Sequence, residues 1–386
     1  MTSLATADVA ASPAPETVDA LIRRLGEGFA KRAGEIDATD GFIAENYEEI
    51  RAAGLLAAAV PEELGGLGLS YPAVCDLLRQ LAQYCGSTAL AYAMHTHQVA
   101  IPAWRWRHQK IAAVEPLLKR VAAERIILLT SGGSDWIAGS GKAVKVEGGY
   151  RISARKIFTS GAPIGNILMT GAVVHQDNQP DQVIHFGVPM KAPEVKVLDT
   201  WHTMSMRGTG SHDVLIEGLF IADSAVAMTR KAGEWHPVFQ IIATVAIPLI
   251  YSVYLGVAES ARDIAIGLAK KRLPTPHVIE MAGRMDTELA AARMAHRAMV
   301  DVVERNAPSA DSVNDVMIGR AIFVEHALKS VECAMELAGG ACIYRVNGLE
   351  RRFRDIQGAR FHPLQSGPQA QFAGSIALGL PVTNVF

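Results

Sequence analysis

Three stretches of this chain combine glycines with hydroxyl side chains, and three histidines stand where a proton could be moved. Residues 201–220 read Trp-His-Thr-Met-Ser-Met-Arg-Gly-Thr-Gly-Ser-His-Asp-Val-Leu-Ile-Glu-Gly-Leu-Phe. Gly208, Thr209, Gly210 and Ser211 let the backbone turn sharply and present N–H and hydroxyl donors. Val214, Ile216, Leu219 and Phe220 then resume the apolar pattern of a strand. In residues 129–135, Leu-Thr-Ser-Gly-Gly-Ser-Asp, the groups of Leu129, Thr130, Ser131, Gly133 and Ser134 could converge on a pyrimidine ring or a pyrophosphate. An ordinary Ser/Gly-rich loop is the alternative. Residues 156–161, Lys-Ile-Phe-Thr-Ser-Gly, follow a hairpin and bring Phe158, Thr159 and Ser160 to one turn. His362, His95 and His97 are the candidate proton carriers, because an imidazole can abstract or relay a proton near neutrality. For His95 and His97 the competing reading is a core or helix-surface imidazole. Arg272 could grip phosphate oxygens in pairs with its planar fork, or simply end a helix at the surface. Gly339 and Gly340 permit close backbone approach.

The elements that must hold these groups come in three blocks. Residues 17–48 show helical spacing, 60–69 form a turn-rich connector, and 71–100 and 110–123 read as further helices. From Ile126 the runs 126–129, 142–146, 150–152, 167–174 and 183–188 are short and β-rich, with Glu147-Gly148-Gly149 as a hairpin turn. Residues 246–271, 276–306, 312–337 and 368–378 then supply the helices of a four-helix bundle. The expected class is therefore α+β and multidomain. A disordered tail over 1–16 leads to an N-terminal helical domain over 17–125. A small middle β-barrel or sandwich spans 126–224, and a C-terminal helical bundle spans 235–386.

Composition narrows the function classes. With 386 residues, 49% hydrophobic and 20% charged, the chain can bury a large core. A net charge of −2 gives no basic surface for nucleic acid. Cys75, Cys85, Cys333 and Cys342 form no CxxC pair, so they read as free thiols of a reducing, cytoplasmic compartment rather than a metal site. The segment 239–257 is apolar enough for a membrane, but Gln240, Pro248 and Ser252 interrupt it, so a buried helix and no membrane contact are expected. The Ala- and Pro-rich first 15 residues have neither a charged start nor an apolar core, and so do not read as a secretory signal.

The helical, β, helical order and the motifs above resemble the acyl-CoA dehydrogenase superfamily of flavoproteins, from about Gly26 to Gly379. Residues 60–68, Val-Pro-Glu-Glu-Leu-Gly-Gly-Leu-Gly, match a structural signature of the family's first domain. Residues 129–135 resemble its flavin loop, two residues shorter and without the usual Glu-Pro. Residues 156–161 resemble Lys-Phe-Ile-Thr-Asn-Gly, which packs on the isoalloxazine ring, with Thr159 the candidate near N5 and Ser160 in place of Asn. The resemblance implies that Arg272 meets the flavin pyrophosphate of a neighbouring subunit. It also implies that Glu336-Leu337-Ala338-Gly339-Gly340 closes over the adenine part. Bound FAD is the implied cofactor, and reduced FMN or FAD supplied by a reductase is the alternative.

One departure bears on the reaction. After the family's Arg-Asp, here Arg354-Asp355, true acyl-CoA dehydrogenases place a catalytic Glu. No carboxylate follows Asp355 in this chain, and none stands in 241–252. His362 occupies that neighbourhood, as in the superfamily's two-component flavin monooxygenases, such as dibenzothiophene monooxygenase. Family frequency favours FAD-dependent α,β-dehydrogenation of an acyl thioester. The alternative is a monooxygenase using reduced flavin and O2, and the third reading is an inactive flavin-fold assembly subunit. The expected partners are a small-molecule substrate such as an acyl-CoA, an electron-transfer flavoprotein or flavin reductase, and three further copies in a homotetramer.

Overall fold

The computed structural model describes residues 17–382 apart from Ser134, Trp136 and Ile137. The expected tail over 1–16 and the candidate Ser134 lie outside the described residues.

Five helices open the chain: α1 Val18–Thr39, α2 Ala44–Ala52, α3 Tyr71–Tyr84, α4 Gly86–Gln109 and α5 Glu115–Glu124. The Thr17 hydroxyl caps α1 by accepting from the Ala20 N–H, satisfying one of the orphan donors of a helix start. The expected helix over 17–48 breaks at Asp40, whose left-handed φ of 52° ends α1 ahead of Gly41. The helices expected over 71–100 are α3 and α4, divided at Cys85, which is extended at φ −147°. The break at Asp40 comes from backbone geometry at a single residue, which apolar periodicity does not register.

The middle of the chain holds eight strands: β1 Leu128–Thr130, β2 Lys142–Val146, β3 Gly149–Lys156, β4 Ile167–Val174, β5 Gln182–Pro189, β6 Val195–Leu198, β7 Asp213–Ala222 and β8 Met228–Lys231. They pair in the order β6-β7-β3-β2-β4-β5-β8, with β1 parallel to β4. A single parallel pair, Lys142 with Val173, joins β2 to β4. The sheet thus consists of two largely antiparallel halves hinged on one bridge, and no pairing among the described residues closes it into a barrel. The hairpin turn stands where expected, with Val146 opposite Gly149 and Gly148 at φ 73°.

Five helices follow: α6 Val238–Ala269, α7 Pro276–Glu304, α8 Ala310–Ala338, α9 Leu349–Ile356 and α10 Ser366–Ala377. α6 is apolar enough to cross a membrane by composition, yet 89% of its most apolar window is buried inside the protein. It is packed by α3 and α4 from the first block and by α7, α8 and α9 from the last. The two helical blocks therefore share one core helix. Its continuous hydrophobicity reflects burial on every side.

Candidate functional site

Three loops meet at one place. The Gly132 N–H donates to the Ile157 carbonyl at 2.9 Å, tying the loop after β1 to the turn after β3. A Cβ on Gly132 would lie 3.3 Å from the Phe158 ring, and one on Gly133 would lie 2.2 Å from Pro363 Cγ. The second value is a clash that only glycine avoids, so Gly133 lets the β1 loop touch the segment that carries His362. Leu129 is 1% exposed and packs under the loop. The Thr130 hydroxyl donates to the Ser131 carbonyl at 3.3 Å, and Ser131 Oγ lies 3.2 Å from Thr170 Oγ1. Phe158 has a left-handed φ of 53° and stands out of the surface, edge-on to Trp201 with ring centroids 5.8 Å apart. Thr159 is buried, its N–H donating to the His212 carbonyl at 3.2 Å. The Ser160 hydroxyl meets Ser211 at 2.7 Å, so the glycine-rich turn of residues 208–211 joins the same cluster.

A buried ion pair holds this arrangement from below. β3 alternates buried and exposed side chains, and Lys156 falls on the buried side. Its ammonium donates to Ser140 O, Ser140 Oγ and Gly171 O at 2.8–2.9 Å and faces Asp135 Oδ2 at 3.3 Å. Burial pushes the Lys156 pKa down, while Asp135 opposes the shift. A buried amine with three acceptors and a carboxylate is well satisfied. The strand alternation puts Lys156 inward, a position that the motif comparison alone leaves unexplained.

The three histidines differ sharply. His95 Nδ1 accepts from the Leu128 N–H at 3.0 Å, so its Nε2 carries the proton and donates to Leu56 O at 2.9 Å. His95 thus pins α4 to β1 and to the 55–57 turn, and neither nitrogen is left for chemistry. His97 Nδ1 donates back to Ala93 O at 3.1 Å, and its Nε2 accepts from the Gln98 amide at 3.0 Å. Both rings expected as proton carriers are thus engaged by the protein's own groups in this structure.

His362 is half-buried and makes no ring hydrogen bond to a described residue. Its ring packs against Tyr254 at a centroid separation of 5.5 Å. Burial, then the Arg320 guanidinium and His97, push its pKa down to about 4, so at neutral pH the imidazole is uncharged.

Sequence reading did not single out Arg320. It is 1% exposed and donates to the carbonyls of Ala359, Arg360 and His362 at 2.9–3.2 Å and to the Tyr251 hydroxyl at 2.7 Å. It fixes the backbone of the His362 loop. An arginine inside a helical pattern carries no signal that it turns inward. Asp355, the carboxylate beside this loop, is buried and accepts from the Met206 N–H at 2.7 Å, and burial pushes its pKa up.

Arg272 and the glycines after α8 form a separate feature. Arg272 is exposed, its guanidinium donates to Leu337 O at the end of α8, and it approaches Gly339, whose φ is 61°. Gly340 has open space where a Cβ would stand. The Arg272 hydrogen bond does not reach the Thr130 and Ser160 loops. A cation on the last carbonyls of α8 also complements the helix dipole.

The glycine- and hydroxyl-lined loops, with the His362 imidazole beside them, suit a heteroaromatic cofactor, and the fold with the similarities that follow defines a flavin-dependent oxidoreductase. Three models of one family match the chain: acyl-CoA dehydrogenase N-terminal domain over 16–118, middle domain over 130–219 and C-terminal domain over 249–366. The chain belongs to the acyl-CoA dehydrogenase superfamily. It is similar to L-evernosamine nitrososynthase of a Micromonospora species, 28% identical over 97% of this chain and 92% of that one. It is also similar to dibenzothiophene monooxygenase of Rhodococcus erythropolis, 26% identical over 89% of each chain. A solved structure of KijD3 in complex with FMN and dTDP-3-amino-2,3,6-trideoxy-4-keto-3-methyl-D-glucose superposes with a TM-score of 0.84 at 25% identity, over 96% of each chain.

Proposed function

We propose that this chain is a flavin-dependent monooxygenase that takes reduced flavin from a separate reductase and uses O2. This reverses the lean towards dehydrogenation that family frequency suggests. The carrying observation is the identity and state of the group in the catalytic loop. A dehydrogenase needs an ionised carboxylate there to remove an α-proton. Here stands His362, a neutral imidazole whose ring nitrogens make no hydrogen bond to a described residue, and the neighbouring Asp355 is turned to the Met206 N–H. The relatives support the same reading, since nitrososynthases and dibenzothiophene monooxygenases bear on nitrogen and sulfur compounds. The substrate class proposed is accordingly a small molecule with a nucleophilic nitrogen or sulfur.

When bound, the flavin supplies the two electrons and the oxygen chemistry. Thr130, Thr159 and Ser160 would hold its ring, and Phe158 would cover it. His362, held by Arg320 through its carbonyl, takes a proton from the substrate heteroatom or returns one at a ring nitrogen. Tyr254 packs one side of that imidazole and keeps it dry. Arg272, Gly339 and Gly340 would complete the cofactor site of a neighbouring copy in a homotetramer. The exposed Ile343, Tyr344 and Val346 beside them supply apolar surface for such a contact.

The test is substitution of the histidine. His362→Ala should lower turnover about 10²–10⁴-fold, the usual contribution of a positioned acid or base, with flavin binding unchanged. His362→Gln keeps a polar group of similar reach but cannot take the proton, and should stay equally slow. Near-normal turnover in both variants would refute the assignment.

A further inference from the structure

A chain of three hydroxyls runs inward from the flavin loop. Ser160 Oγ lies 2.7 Å from Ser211 Oγ, which lies 2.7 Å from Thr209 Oγ1, which lies 2.9 Å from the Met206 carbonyl. Burial increases along it, from 8% exposed at Ser160 to 4% at Ser211 and 0% at Thr209. The last member sets the direction. A carbonyl oxygen can only accept, so Thr209 donates its one proton to Met206. Ser211 then donates to Thr209, and Ser160 donates to Ser211. The opposite direction would set the Thr209 and Met206 lone pairs against each other at 2.9 Å and leave one bond unmade. A buried polar contact of that kind is costly.

We propose that Thr209 and Ser211 are positioning residues that spend the Ser160 proton inside the protein, so that Ser160 faces the cleft as a hydrogen-bond acceptor. This rests on the reading above that the flavin lies beside Ser160, and it sets Ser160 rather than Thr159 against N5, since Thr159 is 0% exposed and its hydroxyl donates to the Lys156 carbonyl at 3.4 Å. The consequence follows from flavin chemistry. Reduced flavin carries a hydrogen on N5 and donates there, whereas oxidised flavin has a bare N5 that only accepts. An acceptor at Ser160 pairs with the first and opposes the second. The hydroxyl chain therefore selects the reduced cofactor, the form that a separate reductase delivers, and lets the spent form leave.

The experiment compares dissociation constants of reduced and oxidised FMN, measured anaerobically and aerobically, across variants whose thermal unfolding is checked. Wild type should bind reduced FMN more tightly. Ser211→Ala removes the acceptor of the Ser160 proton and lets that hydroxyl turn outward. The preference should then fall roughly threefold to tenfold, the span of one neutral hydrogen bond. Thr209→Val, which keeps the shape but not the hydroxyl, should lower it by less, and Thr209→Ser should keep the wild-type preference. A preference unchanged in folded Ser211→Ala, or absent in wild type, overturns the proposal. Ser160→Ala separates the two levels. If it changes neither dissociation constant, the flavin does not lie at Ser160 and the site reading itself fails. If it changes them while Ser211→Ala leaves the preference intact, only the directional role is lost.

Discussion

The middle of α4 and the loop of residues 357–364 each bury histidine, and the rings have the same charge state for different ends. His95, His97 and His362 are all pushed down to about 4, chiefly by burial. By that measure they are alike. Their hydrogen bonds tell them apart. The α4 rings have both nitrogens taken up by carbonyls, an N–H or an amide, and the loop ring has neither bonded among the described residues. A depressed pKa thus marks a buried imidazole, and a free nitrogen marks one available for chemistry.

The contrast can be broken first at His95. His95→Leu leaves the Leu128 N–H and the Leu56 carbonyl unpaired in the core, at roughly 1–3 kcal/mol each. Thermal or urea unfolding should show the loss, while turnover per folded molecule stays near wild type. A turnover collapse with unchanged stability would put His95 in the chemistry.

Acid should separate the groups next. His95 and His97 have folded pKa values of about 4, below the unfolded value of about 6.5. The folded state therefore resists protonation. Stability is fully present above pH ~6.5 and is lost as pH falls from there towards ~4, by up to roughly 3 kcal/mol per buried ring. Urea midpoints measured from pH 8 to 5 should be level at the alkaline end and fall at the acid end. A midpoint that rises on acidification would contradict the buried neutral assignment.

Arg320 sharpens the comparison from the loop side. Arg320→Met removes the donors to three carbonyls around His362 and should lower turnover by roughly tenfold or more through misplacement of the ring. The smaller charge contribution to the depressed His362 pKa should also vanish, moving the acid limb of the pH–rate profile upward. An unmoved profile would show that Arg320 only packs the bundle. The smallest effect is expected at exposed Arg272. Arg272→Ala should weaken FAD binding roughly threefold to tenfold, since a solvent-screened phosphate contact is worth little. Equal dissociation constants would remove it from the cofactor site.

Much of this was legible in residues alone, for identifiable reasons. The order of helical, strand and helical blocks follows from periodicity. That the loops after Thr130 and after Lys156 share one site was implied by their resemblance to the family's flavin motifs, while the joining of residues 208–211 to them was not foreseen. The missing carboxylate after Asp355 is a plain fact of composition, and it pointed to the alternative reaction that the relatives favour. The rest depends on direction. Whether an arginine at position 320 of a helix turns inward, or whether His95 faces a carbonyl or a substrate, is decided by the rotation of each helix against its neighbours. Single-sequence patterning does not carry that. The break at Asp40 was hidden likewise, because one backbone angle ends a helix without disturbing the apolar rhythm around it.

The most direct measurement offers the protein its two reactions side by side. Reduced FMN and isotopically labelled O2 are given with dibenzothiophene or a dTDP-linked amino sugar as probes. In parallel, FAD-loaded protein is mixed anaerobically with octanoyl-CoA. The expected result is label in the oxidised nitrogen or sulfur product and no bleaching of the flavin by the thioester. Bleaching by octanoyl-CoA, with no labelled product from either probe, would contradict the monooxygenase assignment and return the chain to the dehydrogenases.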